Sequence, residues 1–126
     1  MNAQEREFAE QLDTSADVVW WHRNPVRKPS SVALYKWADG IGFFPDFVLE
    51  VKERTEGDGV ALSEVKGPHL QNYDGAKAAA VHMMYGRVFM VGKELSNEGS
   101  FRFWRKVSDG NLVDDGKFEV PRMRYS

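Results

Sequence analysis

Phe44-Pro45-Asp46-Phe47-Val48, followed downstream by Leu62-Ser63-Glu64-Val65-Lys66-Gly67, is the part of the sequence that decides the fold. Both stretches have the apolar character of buried strands, and both carry charged residues near one end. Because strand side chains alternate between two faces, Glu64 and Lys66 point the same way. A neighbouring strand would bring Asp46 to about 5 Å from Glu64. The two stretches therefore predict two carboxylates and one ammonium group in a small patch.

Three acid-x-Lys triplets occur in the chain, and their surroundings differ. Glu50-Val51-Lys52 continues the strand of Asp46, so Glu50 lies roughly 13 Å further along it, too far for both acids to bind one cation. Asp115-Gly116-Lys117 has the composition of a turn, with no apolar strand around it. Glu64-Val65-Lys66 follows an apolar run and ends at Gly67-Pro68. We therefore predict that Glu64, and not Glu50, joins Asp46.

This arrangement resembles the PD-(D/E)XK nuclease superfamily, with Pro45-Asp46 as the PD and Glu64-Val65-Lys66 as the (D/E)XK. The wider pattern, from about Glu5 to Arg105, is similar to the C-terminal endonuclease domain of type III restriction enzyme Res subunits. The flanking features that carry this similarity are an N-terminal helix with Glu and Phe-Ala, Val19-Trp20-Trp21-His22-Arg23-Asn24-Pro25, an aromatic strand around Tyr35-Lys36-Trp37, and Lys77 on a later helix. The resemblance implies an αβββαβ core, DNA as substrate and Mg²⁺ as cofactor, which Mn²⁺ can replace. It also implies a helicase-type motor as a partner.

Phosphodiester hydrolysis gives each residue of the patch a role. We predict Asp46 and Glu64 as metal ligands, with the backbone carbonyl of Val65 as a third, because magnesium is bound through one or two carboxylates and retained waters. Lys66 would orient or deprotonate the attacking water and offset charge on the phosphate. A purely structural interpretation remains open, in which Asp46 caps a strand edge after proline, and Glu64 and Lys66 take part in cross-strand ion pairing.

A further acid is predicted on the first helix. Glu5 precedes Phe8, Ala9 and Leu12 at helical spacing, so it belongs to the buried stripe. The resemblance also implies a helix glutamate beside the metal. The alternative is that Glu5 only stabilises the positive end of the helix dipole.

Composition indicates a single folded domain over residues 1–126, with 42% hydrophobic and 13% aromatic residues and no cysteine. Disulfides and cysteine-ligated metals are excluded. The sequence has no run of about 20 apolar residues and no basic-then-apolar leader, so we expect no membrane partner and a cytoplasmic location.

The formal net charge of −2 is unusual for a nucleic-acid-binding protein. Residues 18–38 nevertheless contain no acid, and a second basic stretch lies among aromatic residues at positions 101–106. We predict DNA-phosphate contacts there and on the later helix. The residues predicted to bind DNA are Arg23, Arg27, Lys28, Lys36 and Lys77. The alternative for each is an ordinary solvated surface.

The order of elements predicts an α/β domain with a central mixed sheet flanked by helices on both faces. We expect a helix over 4–12, strands over 18–21, 32–37, 43–51, 60–66, 88–91 and 101–105, and a second helix from Asn72 or Asp74 to about Met84. We predict a metal-dependent DNA endonuclease of restriction type. A junction-resolving or repair nuclease working as a homodimer, a silent nuclease fold that only binds nucleic acid, and a remnant of a larger restriction subunit remain alternatives.

Overall fold

The chain begins with a helix of twelve residues whose apolar stripe packs into the core. The computed structural model describes residues 3–24, 34–36, 41–43, 45–66, 81–82, 85–93, 100–106 and 112–125. Within these, α1 (Ala3–Thr14) buries Glu5, Phe8, Ala9 and Leu12, which recur at helical spacing. The helix predicted over 4–12 is therefore confirmed, with one more residue at its N-terminal end and two more at its C-terminal end.

Nine strands follow α1 in the described part of the chain. They are β1 (Val18–Arg23), β2 (Leu34–Lys36), β3 (Ile41–Phe43), β4 (Phe47–Val51), β5 (Val60–Lys66), β6 (Val81–His82), β7 (Gly86–Lys93), β8 (Phe101–Lys106) and β9 (Leu112–Lys117). Two 3₁₀ segments, Glu56–Gly59 and Val120–Arg124, follow β4 and β9. The 3₁₀ segment Glu56–Gly59 reverses the chain, so that β4 and β5 run antiparallel.

The main sheet is mixed, with the strand order β1-β4-β5-β7-β8-β9 and with β6 paired to β7. All neighbouring pairs are antiparallel except β5 and β7, which run parallel. Strands β2 and β3 form a separate antiparallel pair. The predicted α/β class with a mixed sheet is confirmed, although strands predominate.

Strand alternation divides the core between the two faces of this sheet. The larger cluster lies on the α1 side, where the Phe8 ring centroid is 5.0–5.5 Å from those of Phe47, Phe101 and Phe118. The opposite face carries a smaller cluster of Val48, Leu62 and Val88, with Val60 and Tyr85 packed against it. α1 covers only the first face, and the second predicted helix falls largely in residues 72–80, outside the described part.

Three local predictions were wrong. The strand expected over 43–51 is divided, because Phe43 ends β3 of the separate pair and β4 begins only at Phe47. Val81 and His82 were expected in the second helix, yet they form β6, which pairs with Arg87 and Gly86 at the start of β7. Asp115-Gly116-Lys117 was interpreted as a turn, yet it ends β9. Aspartate disfavours strands, but Arg102 and Arg105 of β8 form ion pairs with Asp114 and Asp115 across the ladder, which compensates.

A buried arginine joins three separate parts of this fold. Arg54, whose side chain is fully buried, donates to the carbonyls of Val60, Tyr85 and Met123. These carbonyls lie at the start of β5, just before β7, and in the last 3₁₀ segment. The guanidinium therefore joins the starts of β5 and β7 to the 3₁₀ segment Val120–Arg124.

Candidate active site

Asp46 and Glu64 meet because of the register between β4 and β5. Phe47 pairs with Ser63 in the antiparallel ladder, so Asp46, one residue before β4, lies opposite Glu64. Pro45 and Asp46 precede the first ladder pair of β4, a position where proline is tolerated because no ladder donor is needed. The chain thus places one carboxylate at the beginning of β4 and the other near the end of β5, at one edge of the sheet.

Three hydrogen bonds hold the two acids together. The Asp46 amide donates to Oε1 of Glu64 at 3.1 Å, and the Val65 amide donates to Oδ2 of Asp46 at 2.9 Å. The two carboxyl groups also hydrogen-bond each other. Glu64 is 4% exposed, and the Asp46 side chain is 15% exposed. The predicted proximity of these carboxylates is therefore a feature of the structure.

This arrangement strongly disfavours a negative charge on Asp46. Burial, the charge of Glu64 and the hydrogen bond to Glu64 raise the pKa of Asp46 from 3.8 to about 7, while the Val65 amide and Arg23 act in the opposite direction. Asp46 is therefore protonated in much of the protein at neutral pH. A divalent cation would replace that proton and relieve the repulsion between the two carboxylates.

Arg23 lies inside the site, where it contacts two acids. Its Nη2 is 3.2 Å from Oε1 of Glu5 and 3.4 Å from Oδ1 of Asp46. Its Nη1 donates to the carbonyls of Asn24 and Asp46, and its guanidinium packs over the Phe47 ring. We predicted Arg23 as part of a DNA-binding surface. A third of the side chain is exposed, but the head group mainly neutralises carboxylates.

Glu5 reaches the site through this arginine. It is buried in the first turn of α1, as its place in the apolar stripe predicted. Its ion pair with Arg23 connects α1 to Asp46, so Glu5 is beside the centre even though Arg23 bridges the two acids. Its position in the first turn also satisfies the helix-dipole interpretation, and the two roles are compatible.

Asn24 supports the site, and sequence reasoning did not single it out as functional. It is fully buried; its Nδ2 donates to the Pro45 carbonyl at 2.9 Å, and its amide donates to the Asp46 carbonyl at 2.8 Å. These bonds extend the β1–β4 pairing past the end of both strands and fix Pro45-Asp46. In the sequence it is the polar residue directly before Pro25, which we quoted only as part of the resemblance.

The oxygen atoms of Asp46 and Glu64 are the kind of ligands that magnesium prefers. Among the described residues, no group of three or more histidine, aspartate or glutamate side chains is arranged to hold an ion. Asp46, directly before β4, and Glu64 of β5 supply two neighbouring carboxylates, and magnesium is commonly bound by one or two carboxylates with retained waters. The pair therefore fits magnesium better than zinc, which requires three or four protein ligands.

The other predicted residues lie in several places. The Val65 amide contacts Asp46, and its carbonyl as a ligand stays a prediction. Lys66 ends β5 opposite Gly92, and Lys36 lies in β2, but both side chains fall outside the described part. Arg27, Lys28 and Lys77 lie wholly outside it.

Glu50 is separated from the site, as expected. It lies near the far end of β4, and its Oε1 accepts a hydrogen bond from the Trp20 indole at 3.0 Å. The exposed carboxylate is therefore occupied by a structural contact on the neighbouring strand β1.

No family model, curated protein or solved structure gives a significant match to this chain. The resemblance to PD-(D/E)XK nucleases is therefore carried by the motif residues quoted above. None of the helices in the described part of the chain has the length and apolarity needed to cross a bilayer.

Proposed function

We propose that this chain is a magnesium-dependent DNA endonuclease domain of restriction type. The observation that carries the proposal is the contact between the Asp46 and Glu64 carboxyl groups at one edge of the sheet. Two acids buried side by side destabilise a folded protein when both are charged, and such destabilised clusters are common at functional sites. A bound divalent cation would account for the burial of two acids side by side, whereas a purely structural role would not.

The order of elements also supports a restriction-endonuclease-like core. α1 is followed by β1, β4 and β5, which are neighbours in an antiparallel arrangement, and then by β7, which is parallel to β5. In the proposed αβββαβ core, β2 and β3 are an insertion, and the helix predicted before β6 is the crossover between β5 and β7. Parallel neighbours require such a crossover connection.

The residues have distinct tasks in this proposal. Asp46 and Glu64 would hold the metal, with the Val65 carbonyl and Glu5 as further predicted ligands. When bound, magnesium would supply a hydroxide nucleophile, stabilise charge on the phosphate and assist the leaving oxygen. Lys66 would orient the attacking water, and Asn24 would keep Asp46 in place through the backbone.

Arg23 favours one alternative, a nuclease fold that binds nucleic acid without cleaving it. Its guanidinium already provides a positive charge beside Asp46 and Glu5. In that case the carboxylates would need no metal, and the exposed third of Arg23 would be available to a phosphate. A measurement of metal binding by Asp46 and Glu64 therefore distinguishes a nuclease from a fold that only binds nucleic acid.

The decisive experiment is a cleavage assay on plasmid, linear and single-stranded DNA with Mg²⁺, Mn²⁺ or EDTA. We expect cleavage with either metal, none with EDTA, and none with Glu64→Gln. Glu50→Gln is the matched control, because it removes a carboxylate from the same pair of strands without touching Asp46, and it should retain activity. Metal-independent cleavage, or equal loss in both variants, would refute the assignment.

A further inference from the structure

A second charged cluster lies at the other end of the sheet, on the face that carries α1. A cavity of about 180 Å³, counting the part open to solvent, is lined by Arg87, Phe89, Phe103, Asp115 and Arg122. These residues come from β7, β8, β9 and the last 3₁₀ segment. We call this cavity, together with the neighbouring Arg105, the arginine pocket.

The arginine pocket holds more positive than negative charge. Asp115 is 3.3 Å from Arg105 and 4.0 Å from Arg87, and its backbone carbonyl accepts from Arg122 at 2.7 Å. Two guanidinium groups therefore contact the Asp115 carboxylate, and a third contacts the backbone of the same residue. Burial lowers the pKa of Arg87; Asp115 opposes this, while the charges of Arg105 and Arg122 lower it further. The three cations are thus close enough to repel one another.

Packing keeps two of these guanidinium groups in fixed positions. Arg87 stacks on Phe89 at 5.1 Å, and Arg122 stacks on Phe103 at 4.9 Å. Arg122 also donates to the Lys117 carbonyl and lies against Gly116, where a Cβ atom would be only 2.5 Å from its Nη1. Because Arg87 and Arg122 are already held in place, they lose little side-chain entropy when a ligand binds. Guanidinium groups in fixed positions also match the geometry of oxyanions.

The arginine pocket is separate from the carboxylate pair. Arg87 is four residues before Val91, the partner of Val65, which places it roughly 13 Å away along the strand. Glu64 also belongs to the opposite face, since it alternates with Val65 of the α1-side cluster. The arginine pocket and the carboxylate pair are therefore two separate sites.

We propose that the arginine pocket binds a phosphate group, with Arg87, Arg105 and Arg122 as its ligands. The phosphate would add the negative charge that Asp115 alone does not provide. This inference does not depend on the proposed nuclease activity. The phosphate could be a free ion or belong to a DNA end, and both sources present the same oxygens to the guanidinium groups.

The test is an NMR titration of the protein with inorganic phosphate, with sodium chloride at equal ionic strength as the reference. We expect saturable shifts of the amides of Phe89, Phe103, Asp115 and Arg122 with phosphate only. Arg87→Gln should weaken binding by about tenfold, because a hydrogen bond to a charged group is lost. Arg105→Gln, at a half-exposed position that the fold needs less, should weaken binding by several-fold.

Arg102→Gln is the matched control. Arg102 forms the same kind of ion pair between β8 and β9, with Asp114, but on the opposite face from Phe103. It should leave phosphate affinity unchanged. A DNA duplex with a terminal 5′-phosphate and the same duplex without it are then tested as competitors of inorganic phosphate. Competition by the phosphorylated duplex alone identifies a DNA end as the ligand. Competition by neither duplex identifies the free ion. Absence of saturable shifts, or equal effects in all three variants, would overturn the proposal.

Discussion

Val65 donates its amide N–H to Oδ2 of Asp46 at 2.9 Å, a bond from the backbone of β5 to a side chain at the entry of β4. The bond lies where the β4–β5 ladder ends, so the carboxylate takes a place that a backbone carbonyl would otherwise fill. Because Val65 follows Glu64 directly, the same segment positions both acids. A one-residue slip of this register would move Glu64 to the other face and separate the pair.

The first prediction concerns stability and pH. The pKa of Asp46 is raised to about 7 by burial and by Glu64, so its contribution to stability is fully present below its ordinary pKa and is lost as the pH rises through 7. Asp46→Asn removes that loss. In EDTA at pH 8 we expect the variant to be more stable than the wild type by on the order of 2 kcal/mol.

At pH 4 the same comparison should give little or no gain, because Asp46 is already neutral there. Asp58→Asn, in the exposed turn before β5, is the control and should show no such dependence on pH. Denaturant unfolding at several pH values measures both variants. A less stable Asp46→Asn protein at pH 8 would mean that the carboxylate is needed by the fold.

The second prediction concerns metal binding. A cation that binds only the folded state raises the midpoint of thermal unfolding by mass action. We therefore expect Mg²⁺ and Mn²⁺ to raise it at pH 8, and the effect to disappear in Glu64→Gln. Glu50→Gln should respond like the wild type, because Glu50 interacts with Trp20 at the other end of β4. Differential scanning calorimetry provides the measurement, and an unchanged response in Glu64→Gln would contradict the proposed ligand set.

The third prediction follows from the position of Arg23. Because its guanidinium competes with a cation for Asp46 and Glu5, Arg23→Gln should bind Mn²⁺ several-fold more tightly while losing some stability without metal. Isothermal titration calorimetry distinguishes the two effects. Arg6→Gln, on the exposed side of α1, is the control. Weaker metal binding in Arg23→Gln would show that Arg23 organises the acids for the metal.

The fourth prediction separates chemistry from DNA binding. Lys66→Ala should remove cleavage and leave DNA affinity nearly unchanged, since one lysine contributes little to the total phosphate attraction. The double variant Arg27→Gln, Lys28→Gln should instead weaken binding and reduce its salt slope by about 2. Arg23 is left out of this test because it contacts Asp46. Fluorescence anisotropy in EDTA measures binding, and poor binding by Lys66→Ala would make Lys66 a docking residue.

The sequence correctly predicted the elements that are determined by residues close together along the chain. The apolar run before Glu64 and the stop at Gly67-Pro68 predicted the bounds of β5, which pairs with β4. The prediction of Asp46 beside Glu64 needed only that pairing. β9 was missed because Asp114 and Asp115 disfavour strands until Arg102 and Arg105 of β8 neutralise them.

Contacts between distant segments explain the remaining differences. Arg23 stands in a stretch without acids, so the sequence predicted a basic surface, yet its partners Glu5 and Asp46 come from α1 and from the entry of β4. Arg54 was part of a loop in the sequence, and its three carbonyl partners are 6, 31 and 69 residues away. No local pattern contains such information.

The last prediction tests that long-range role of Arg54. Arg54→Met keeps much of the apolar stem over Phe89 but removes the donors to the carbonyls of Val60, Tyr85 and Met123. Each buried carbonyl that loses its donor costs about 1–3 kcal/mol, so we expect a loss of roughly 3–5 kcal/mol in the free energy of unfolding. Such a loss is a large part of the 5–15 kcal/mol that stabilises a typical domain.

Arg54→Lys should lose less, about 2 kcal/mol, because one ammonium group reaches fewer of the three carbonyls than a planar guanidinium. Arg6→Met, at an exposed position of α1, controls for the general effect of replacing arginine by methionine and should be nearly neutral. Urea denaturation followed by circular dichroism ranks the three variants. If Arg54→Met were as stable as Arg6→Met, the C-terminal 3₁₀ segment would be held to the sheet by its apolar residues Val120 and Met123 alone, and Arg54 would be dispensable for the fold.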